Sequence, residues 1–215
     1  MSTDAGRTGV PLVLLTGPLA PAPGTARLRS ALNQRGPVLV PEVVLAAARA
    51  ADLSTPALAV LAAVSASGAD EAVLCGIGVG AMVALQVAAT YPRRVSALVL
   101  CTAARPLAPH VRSVHRGVTG VLPARALQTL GGGTRQTLAA LDQVRPLDYG
   151  PLAPLVTPPA RVLYGARDPV NARASRRLAH TLPDGTAVAV PDSGPGWMWD
   201  EPERYVAAVT DFLQP

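Results

Sequence analysis

Short runs of apolar residues recur along the chain, and segments with helical signals separate most of them. Each run is four to seven residues long, which is the length of a strand covered on both faces of a sheet. The alternation of strand and helix signals predicts a mostly parallel sheet with helices on both sides. The six predicted strands are residues 11–17, 37–40, 72–75, 95–101, 160–164 and 186–190.

The signals that begin and end helices agree with this order. Thr55 followed by Pro56 predicts a capping hydroxyl before a proline at the first helical position. Another helix is expected from about Val79 to Tyr91, where the following proline ends it. The sequence Asp-Glu-Pro-Glu at 200–203 predicts a carboxylate cap and a last helix that ends near residue 213.

The pattern changes between residues 105 and 159, where prolines, three successive glycines and short helical segments interrupt the alternation of strands and helices. A segment of this length without strands is usually functional or disordered. We expect a small helical cap inserted into a single domain that spans residues 1–215. A surface excursion without a function is the alternative.

The composition predicts a folded domain with an aliphatic core, because 49% of the residues are hydrophobic and only 3% are aromatic. A chain of 215 residues fits one hydrophobic core. All of the 19 basic residues are arginine, which together with the many alanines, prolines and glycines suggests a GC-rich bacterial source.

The charge pattern excludes some classes of partner. The net charge of +5 is compatible with an acidic partner, but the arginines are scattered and no basic run is interleaved with aromatic residues, so nucleic-acid binding is not expected. The first residues lack an apolar signal core, and no segment has the length of a membrane span. We therefore expect a cytoplasmic protein. The two cysteines, Cys75 and Cys101, form no metal motif, and no metal or cofactor is expected.

The segment Gly76-Ile-Gly-Val-Gly80, between a predicted strand and a predicted helix, resembles the nucleophile elbow Gly-x-Ser-x-Gly of α/β-hydrolases. The segment 162–170 is similar to the strand and loop that carry the acidic member of that family's triad, and 190–203 is similar to its histidine loop. The resemblance covers about residues 11–103 and 145–213 in the family's order. It implies a three-layer α/β/α sandwich with a short helical cap.

The resemblance also implies that most of the catalytic triad is missing. The nucleophile position is Gly78 and the histidine position is Pro195. Only Asp168 remains of the three, so hydrolysis through an acyl-enzyme is not expected. The family's His-Gly after its first central strand is Thr16-Gly17 here. The Thr16 hydroxyl and the backbone amide of the residue after Gly78 can still polarise a carbonyl group.

Several residues have two interpretations. Asp168 is either a general base with a pKa raised by burial or a capping carboxylate at the start of a helix. Trp197 and Trp199 either wall a ligand pocket or cover the end of the core. Cys75 and Cys101 are expected to be buried strand residues and not nucleophiles.

The predicted cap carries a group of basic residues that forms either a partner-binding surface or a solvated face. An acidic acyl-carrier protein is the partner that such a surface would fit. The residues of this group are Arg105, His110, Arg112, His115 and Arg116.

Two functions follow from these observations. The first is a non-hydrolytic step of bacterial small-molecule or natural-product biosynthesis, most concretely acyl transfer from a carrier-protein thioester to a thiol or hydroxyl acceptor. Thr16 and the Val79 amide would polarise the carbonyl, Asp168 would assist proton transfer, and Gly17, Gly78, Pro195 and both tryptophans would line the pocket. The second is a catalytically inactive hydrolase relative that binds a ligand or a partner. A cyclisation or isomerisation is a further form of the first function.

Overall fold

The computed structural model describes residues 9–17, 20–41, 52–101 and 150–214. Most of the predicted cap, 105–159, lies outside these residues. Its last ten residues are described, and they contain a short 3-10 helix, Ala153–Leu155. The division of the chain into a domain and a cap therefore stays a prediction.

The described strands form one sheet in which all neighbours are parallel. Their order across the sheet is β2-β1-β3-β4-β5-β6. Every predicted strand is confirmed, with shifts of a few residues at the ends. The strands are β1 Leu12–Leu15, β2 Val38–Leu39, β3 Ala72–Ile77, β4 Val95–Cys101, β5 Ala160–Gly165 and β6 Gly185–Val190.

Helices follow most of the strands and cover both faces of the sheet. A single-turn helix, α5, precedes the last one. The helices of the described residues are α1 Ala22–Asn33, α2 Ser54–Ala66, α3 Val79–Thr90, α4 Pro169–Thr181, α5 Trp197–Asp200 and α6 Pro202–Leu213. A 3-10 turn, Pro92–Arg94, follows α3.

Two predicted helix caps are wrong, although the helices themselves are confirmed. Thr55 does not cap α2, because its N–H donates to the Asp52 carboxylate at 2.9 Å and the helix begins at Ser54. Asp200 does not cap α6, because the residue before the helix is Glu201, whose side chain makes no capping hydrogen bond. Glu201 forms a 3.0 Å ion pair with Arg204.

Alternate residues of the strands enter two separate hydrophobic clusters, one on each face of the sheet. Leu15, Leu74 and Leu98 pack with α2, α3 and α4 on one face. Residues on the opposite face, such as Leu14 and Cys75, pack with α1, α5 and α6. The two clusters make the described fold a three-layer α/β/α sandwich, as predicted.

Helix α3 lies in close contact with the sheet because two glycines remove the side chains that would separate them. A Cβ at Gly80 would overlap the carbonyl group of Leu15 at the end of β1. A Cβ at Gly76 would lie 2.6 Å from the Cα of Ala81 in the first turn of α3. The close approach fixes where α3 begins relative to β1 and β3.

We expect Gly80→Ala to destabilise the protein by about 3 kcal/mol or more, because the added methyl group meets a backbone carbonyl that cannot move without disturbing the central strand. Urea denaturation followed by far-UV circular dichroism measures the change. Gly9→Ala is the matched control, since no described heavy atom lies within 4 Å of a Cβ at Gly9. Equal stability of the two variants would contradict this packing.

Candidate functional site

The sheet has one point at which successive connections leave in opposite directions. The chain runs from β1 outward to β2 and returns to β3 on the other side of β1. The loops that follow β1 and β3 diverge at such a point and leave a crevice at the carboxyl ends of the strands, where parallel α/β sheets bind ligands. Thr16 and Gly17 follow β1, and Gly78 and Val79 follow β3.

Gly78 occupies the turn between β3 and α3 with a φ of 62° and a ψ of −121°. Its N–H donates to the carbonyl oxygen of Cys101 at 3.0 Å, and its own carbonyl accepts from the N–H of Ala81 at 3.1 Å. Non-glycine residues rarely adopt this φ. No heavy atom lies within 4 Å of the position that a Cβ would take, so the space above this turn is open among the described residues.

The two loops meet at Gly17 and Val79. A Cβ on Gly17 would lie 3.4 Å from the backbone nitrogen of Val79, so the β1 loop runs directly beside the start of α3. Val79 is the first residue of that helix, and the N–H groups of a first turn have no partner within their own helix. The partial positive charge of this helix end favours a carbonyl oxygen that carries developing negative charge.

A cleft of about 660 Å³ continues from the crevice, a volume that suits a small ligand. Thr16 and Gly17 form one end of it, and the exposed side of α1 and Val40, which follows β2, form its walls. The half-buried Thr16 hydroxyl is thus placed at a ligand-accessible position.

Asp168 acts as the helix cap that one sequence interpretation predicted. Its side chain is 4% exposed and precedes α4. One carboxylate oxygen accepts from the backbone N–H of Asn171 at 3.0 Å and the other from the Asn171 side-chain amide at 2.5 Å. Its strand, β5, is separated from β3 by β4, a distance of about 10 Å at the usual strand spacing. A role of Asp168 in proton transfer stays a prediction.

Pro195 is exposed in the loop between β6 and α5. This loop packs against the loop that leads to Asp168, because the N–H of Arg167 donates to the carbonyl of Ser193 at 2.9 Å. An ion pair of 2.6 Å between Arg167 and Asp192 adds a contact at the surface. The structure therefore brings the loops of Asp168 and Pro195 together.

The two tryptophans belong to the packing of α5. Trp197 is 4% exposed and lies in the core cluster with Ile77 and Cys101. The main chain of Trp199 is tied to α1, since its carbonyl accepts from Arg27 at 2.9 Å. Neither residue lines the described cleft. The described contacts correspond to the core-covering alternative.

Cys75 and Cys101 are buried residues of β3 and β4, as predicted. Burial raises the pKa of Cys75 from 9.0 to about 12, and the neighbouring Tyr205 hydroxyl offsets only part of this effect. The pKa of Tyr205 lies well above 10.0, first because of burial and then because of the two cysteines beside it. The Tyr205 oxygen has no hydrogen bond of standard geometry to a described residue. A neutral thiol of this kind is not a nucleophile.

Other predicted site residues cannot be compared with the structure. The basic residues Arg105, His110, Arg112, His115 and Arg116 lie outside the described residues. Where the chain is described, no three His, Cys, Asp or Glu side chains are grouped as a metal site would require. No helix in the same part is both long and apolar enough to cross a membrane.

Sequence reasoning missed the α1 side of the cleft, including Thr25, Arg29 and Asn33. These residues recur at helical spacing on one face, a signal that was present in the sequence. Nothing in the sequence indicated that this face borders a cleft, because the opposite wall comes from the end of β2.

The chain is similar to a curated enzyme, the pimeloyl-[acyl-carrier protein] methyl ester esterase of Aromatoleum aromaticum. The two are 30% identical over 187 residues, which is 67% of this chain and 75% of the relative. The chain belongs to the α/β-hydrolase superfamily. No protein-family model matches it.

Solved structures of the same superfamily share the fold. A thermophilic esterase from Thermogutta terrifontis superposes with a TM-score of 0.72 at 24% identity, covering 96% of this chain and 90% of the esterase. The enol-lactonase from Burkholderia xenovorans gives a TM-score of 0.72 at 22% identity, with coverage of 95% and 91%. At these identities the likeness establishes the fold alone.

We expect the free energy of unfolding of this α/β-hydrolase-superfamily protein to fall as the pH rises above 9. Cys75 and Tyr205 keep their protons in the folded state, whereas the unfolded chain releases them. Their contribution is therefore complete below pH 9 and is lost as the pH rises toward about 12. The chain has no lysine, so no lysine titration overlaps with the titration of these two groups.

Tyr205→Phe removes one of the two groups, so its stability should decline less steeply above pH 10 than that of the natural protein. Chemical denaturation at pH 7, 9, 10 and 11 measures both slopes. Identical slopes would show that Tyr205 is not held protonated by the fold.

Proposed function

We propose that this protein binds an acyl thioester at the crevice between the β1 and β3 loops and transfers the acyl group directly to a thiol or hydroxyl acceptor. The reaction would belong to bacterial small-molecule or natural-product biosynthesis. The observation that carries the proposal is the glycine at the tip of an intact turn. Gly78 has a positive φ between a strand and a helix, which supports its assignment to the turn that presents the nucleophile in this superfamily, and glycine has no side chain to attack.

Gly78 and Pro195 take the nucleophile and histidine positions in this proposal, so no covalent acyl-enzyme forms. The remaining groups are suited to polarise a carbonyl. The Val79 N–H lies at the start of α3 and beside Gly17, and Thr16 is at the accessible end of the cleft. An oxyanion site and substrate binding alone retain about a thousandfold acceleration when the triad is lost.

The transfer step needs no further reactant. The acceptor's sulfur or oxygen attacks the carbonyl carbon, and the bond from that carbon to the carrier's sulfur breaks. The proton of the acceptor leaves with the carrier thiol, so the acyl group is exchanged between the two. The protein's contribution is orientation of the two partners and stabilisation of the negative charge on the carbonyl oxygen.

Asp168 would assist proton transfer through a bridging water, since both carboxylate oxygens already accept hydrogen bonds from Asn171. Each oxygen has a further lone pair, so relay of a proton through water is compatible with the geometry. Asp168→Asn tests this relay, since the asparagine oxygen can still accept from the Asn171 backbone N–H at the helix start while the charge is removed.

An acidic acyl-carrier protein is the proposed donor. The relative from Aromatoleum aromaticum is named as an esterase of a pimeloyl-[acyl-carrier protein] methyl ester. The net charge of this chain is +5. Opposite charges speed the encounter of the partners and orient them. The basic residues of the predicted cap, Arg105 to Arg116, are the proposed contact.

A binding protein without catalysis is the second candidate. Two observations favour it. Both Asp168 oxygens accept hydrogen bonds from Asn171, so the carboxylate is engaged as a helix cap. Gly78 has no side chain that could act as a nucleophile at the crevice. This candidate predicts bound acyl ligands and no transfer.

We expect Gly17→Ala to reduce acyl transfer by about a hundredfold, as the loss of one oxyanion donor does, while the protein stays folded. The new methyl group would sit 3.4 Å from the Val79 nitrogen, an ordinary contact distance, and would obstruct the carbonyl oxygen. Turnover is measured with carrier-bound and free acyl thioesters and thiol acceptors, and intact protein mass is recorded at each time point.

Gly9→Ala is the control, because it adds the same methyl group where no heavy atom of the described residues lies within 4 Å. Acceptor-dependent turnover that falls only in Gly17→Ala, without an increase in protein mass, supports direct transfer. An acyl adduct on the protein contradicts it. Ligand binding without turnover favours the second candidate.

A further inference from the structure

The cleft that leaves the crevice follows one face of α1. Six residues of this helix line it, and their spacing of one, three and four residues places them on the same side of the helix. The opposite side of α1 is buried in the core through Gly24, Leu28 and Leu32. The six lining residues are Ala22, Thr25, Ala26, Arg29, Ser30 and Asn33.

Arg29 is the one charged residue among those that line the described cleft. It forms no hydrogen bond or ion pair with another described residue, in contrast to Arg27 on the same helix, which donates to the Trp199 carbonyl. Among the described residues that line the cleft, none is a carboxylate that would neutralise it. Arg29 is exposed at the lining of the cleft, so its guanidinium group is available to a ligand there.

The groups around Arg29 are hydrogen-bonding groups of small size. Thr25 and Ser30 contribute hydroxyls to the lining, and Asn33 contributes an amide. The Asn33 side-chain oxygen accepts from the N–H of Val38 at 3.2 Å, which leaves the amide hydrogens as donors. A cation with adjacent donors and no acidic neighbour among the described lining residues fits an anionic oxygen group.

The end of the cleft near the crevice is lined by small residues, which are apolar except for Thr16. Gly17, Ala20 and Ala22 line it near the crevice, and Val40 lies across from the helix. Arg29 is seven residues beyond Ala22, so it lies about 10 Å further along the helix axis. An extended chain of about eight bonds covers that distance.

We propose that this cleft binds the tail of the acyl substrate, and that the tail ends in a carboxylate or phosphate group held by Arg29. The proposal rests on the proposed function for the position of the thioester, but it assigns the substrate class separately: a medium-length acyl chain with an anionic end. The same acyl chain with a neutral end would leave the guanidinium without a partner.

The test uses amide analogues, which bind without transfer. Three octanoyl amides of cysteamine carry a terminal carboxylate, its methyl ester, or a terminal phosphate. Isothermal titration calorimetry gives the Kd of each for the natural protein, Arg29→Gln and Arg177→Gln. Arg177 is an exposed arginine of α4, on the other face of the sheet, and controls for the loss of one positive charge.

We expect an anionic chain to bind the natural protein roughly tenfold more tightly than the methyl ester. The preference should disappear in Arg29→Gln, persist in Arg177→Gln and weaken with added salt. The stronger of the two anionic ligands identifies the end group. Equal binding of the ester and both anions, no measurable binding, or the same loss in both variants would overturn the proposal.

The two proposals can fail separately. An Arg29-dependent preference in a protein that never transfers acyl groups supports the anionic subsite and contradicts the acyl transfer. Transfer that does not depend on the charge of the chain end or on Arg29 supports the acyl transfer and contradicts the anionic subsite.

Discussion

The candidate site depends on the direct contact between α3 and the backbone of β1. Gly80 makes this contact possible, because any side chain there would overlap the carbonyl group of Leu15. The contact places the first N–H groups of α3 beside Gly17, and the parallel pairing of β1 with β3 brings both loops to the same edge. Without this contact neither the crevice nor the orientation of the Val79 amide would be defined.

The turn and the loops at this edge of the sheet are defined by backbone contacts. The turn at Gly78 keeps a positive φ, and glycine adopts it without the strain that another residue would carry. The loops of Asp168 and Pro195 remain packed on each other. The α/β-hydrolase fold is therefore present in the part of the chain that the structure describes.

The sequence predicted the strands and the sandwich because continuous apolar runs and helix signals are local properties of the chain. It did not predict the residues at the helix starts. The Asp52 carboxylate accepts from the N–H of Thr55 in the first turn of α2, and this contact depends on the conformation of the preceding loop. The sequence could not choose between two roles for Asp168, since its partner Asn171 was visible but their contact was not. The cleft along α1 was missed because it needs the three-dimensional neighbour of that helix.

A crystal structure with a non-cleavable acyl thioester analogue, such as the corresponding methylene ketone, tests the central claim most directly. The account predicts the carbonyl oxygen within about 3 Å of the Val79 nitrogen, the chain along α1 and no bond to any protein side chain. A carbonyl bound elsewhere, or a covalent bond between the acyl group and the protein, would contradict it.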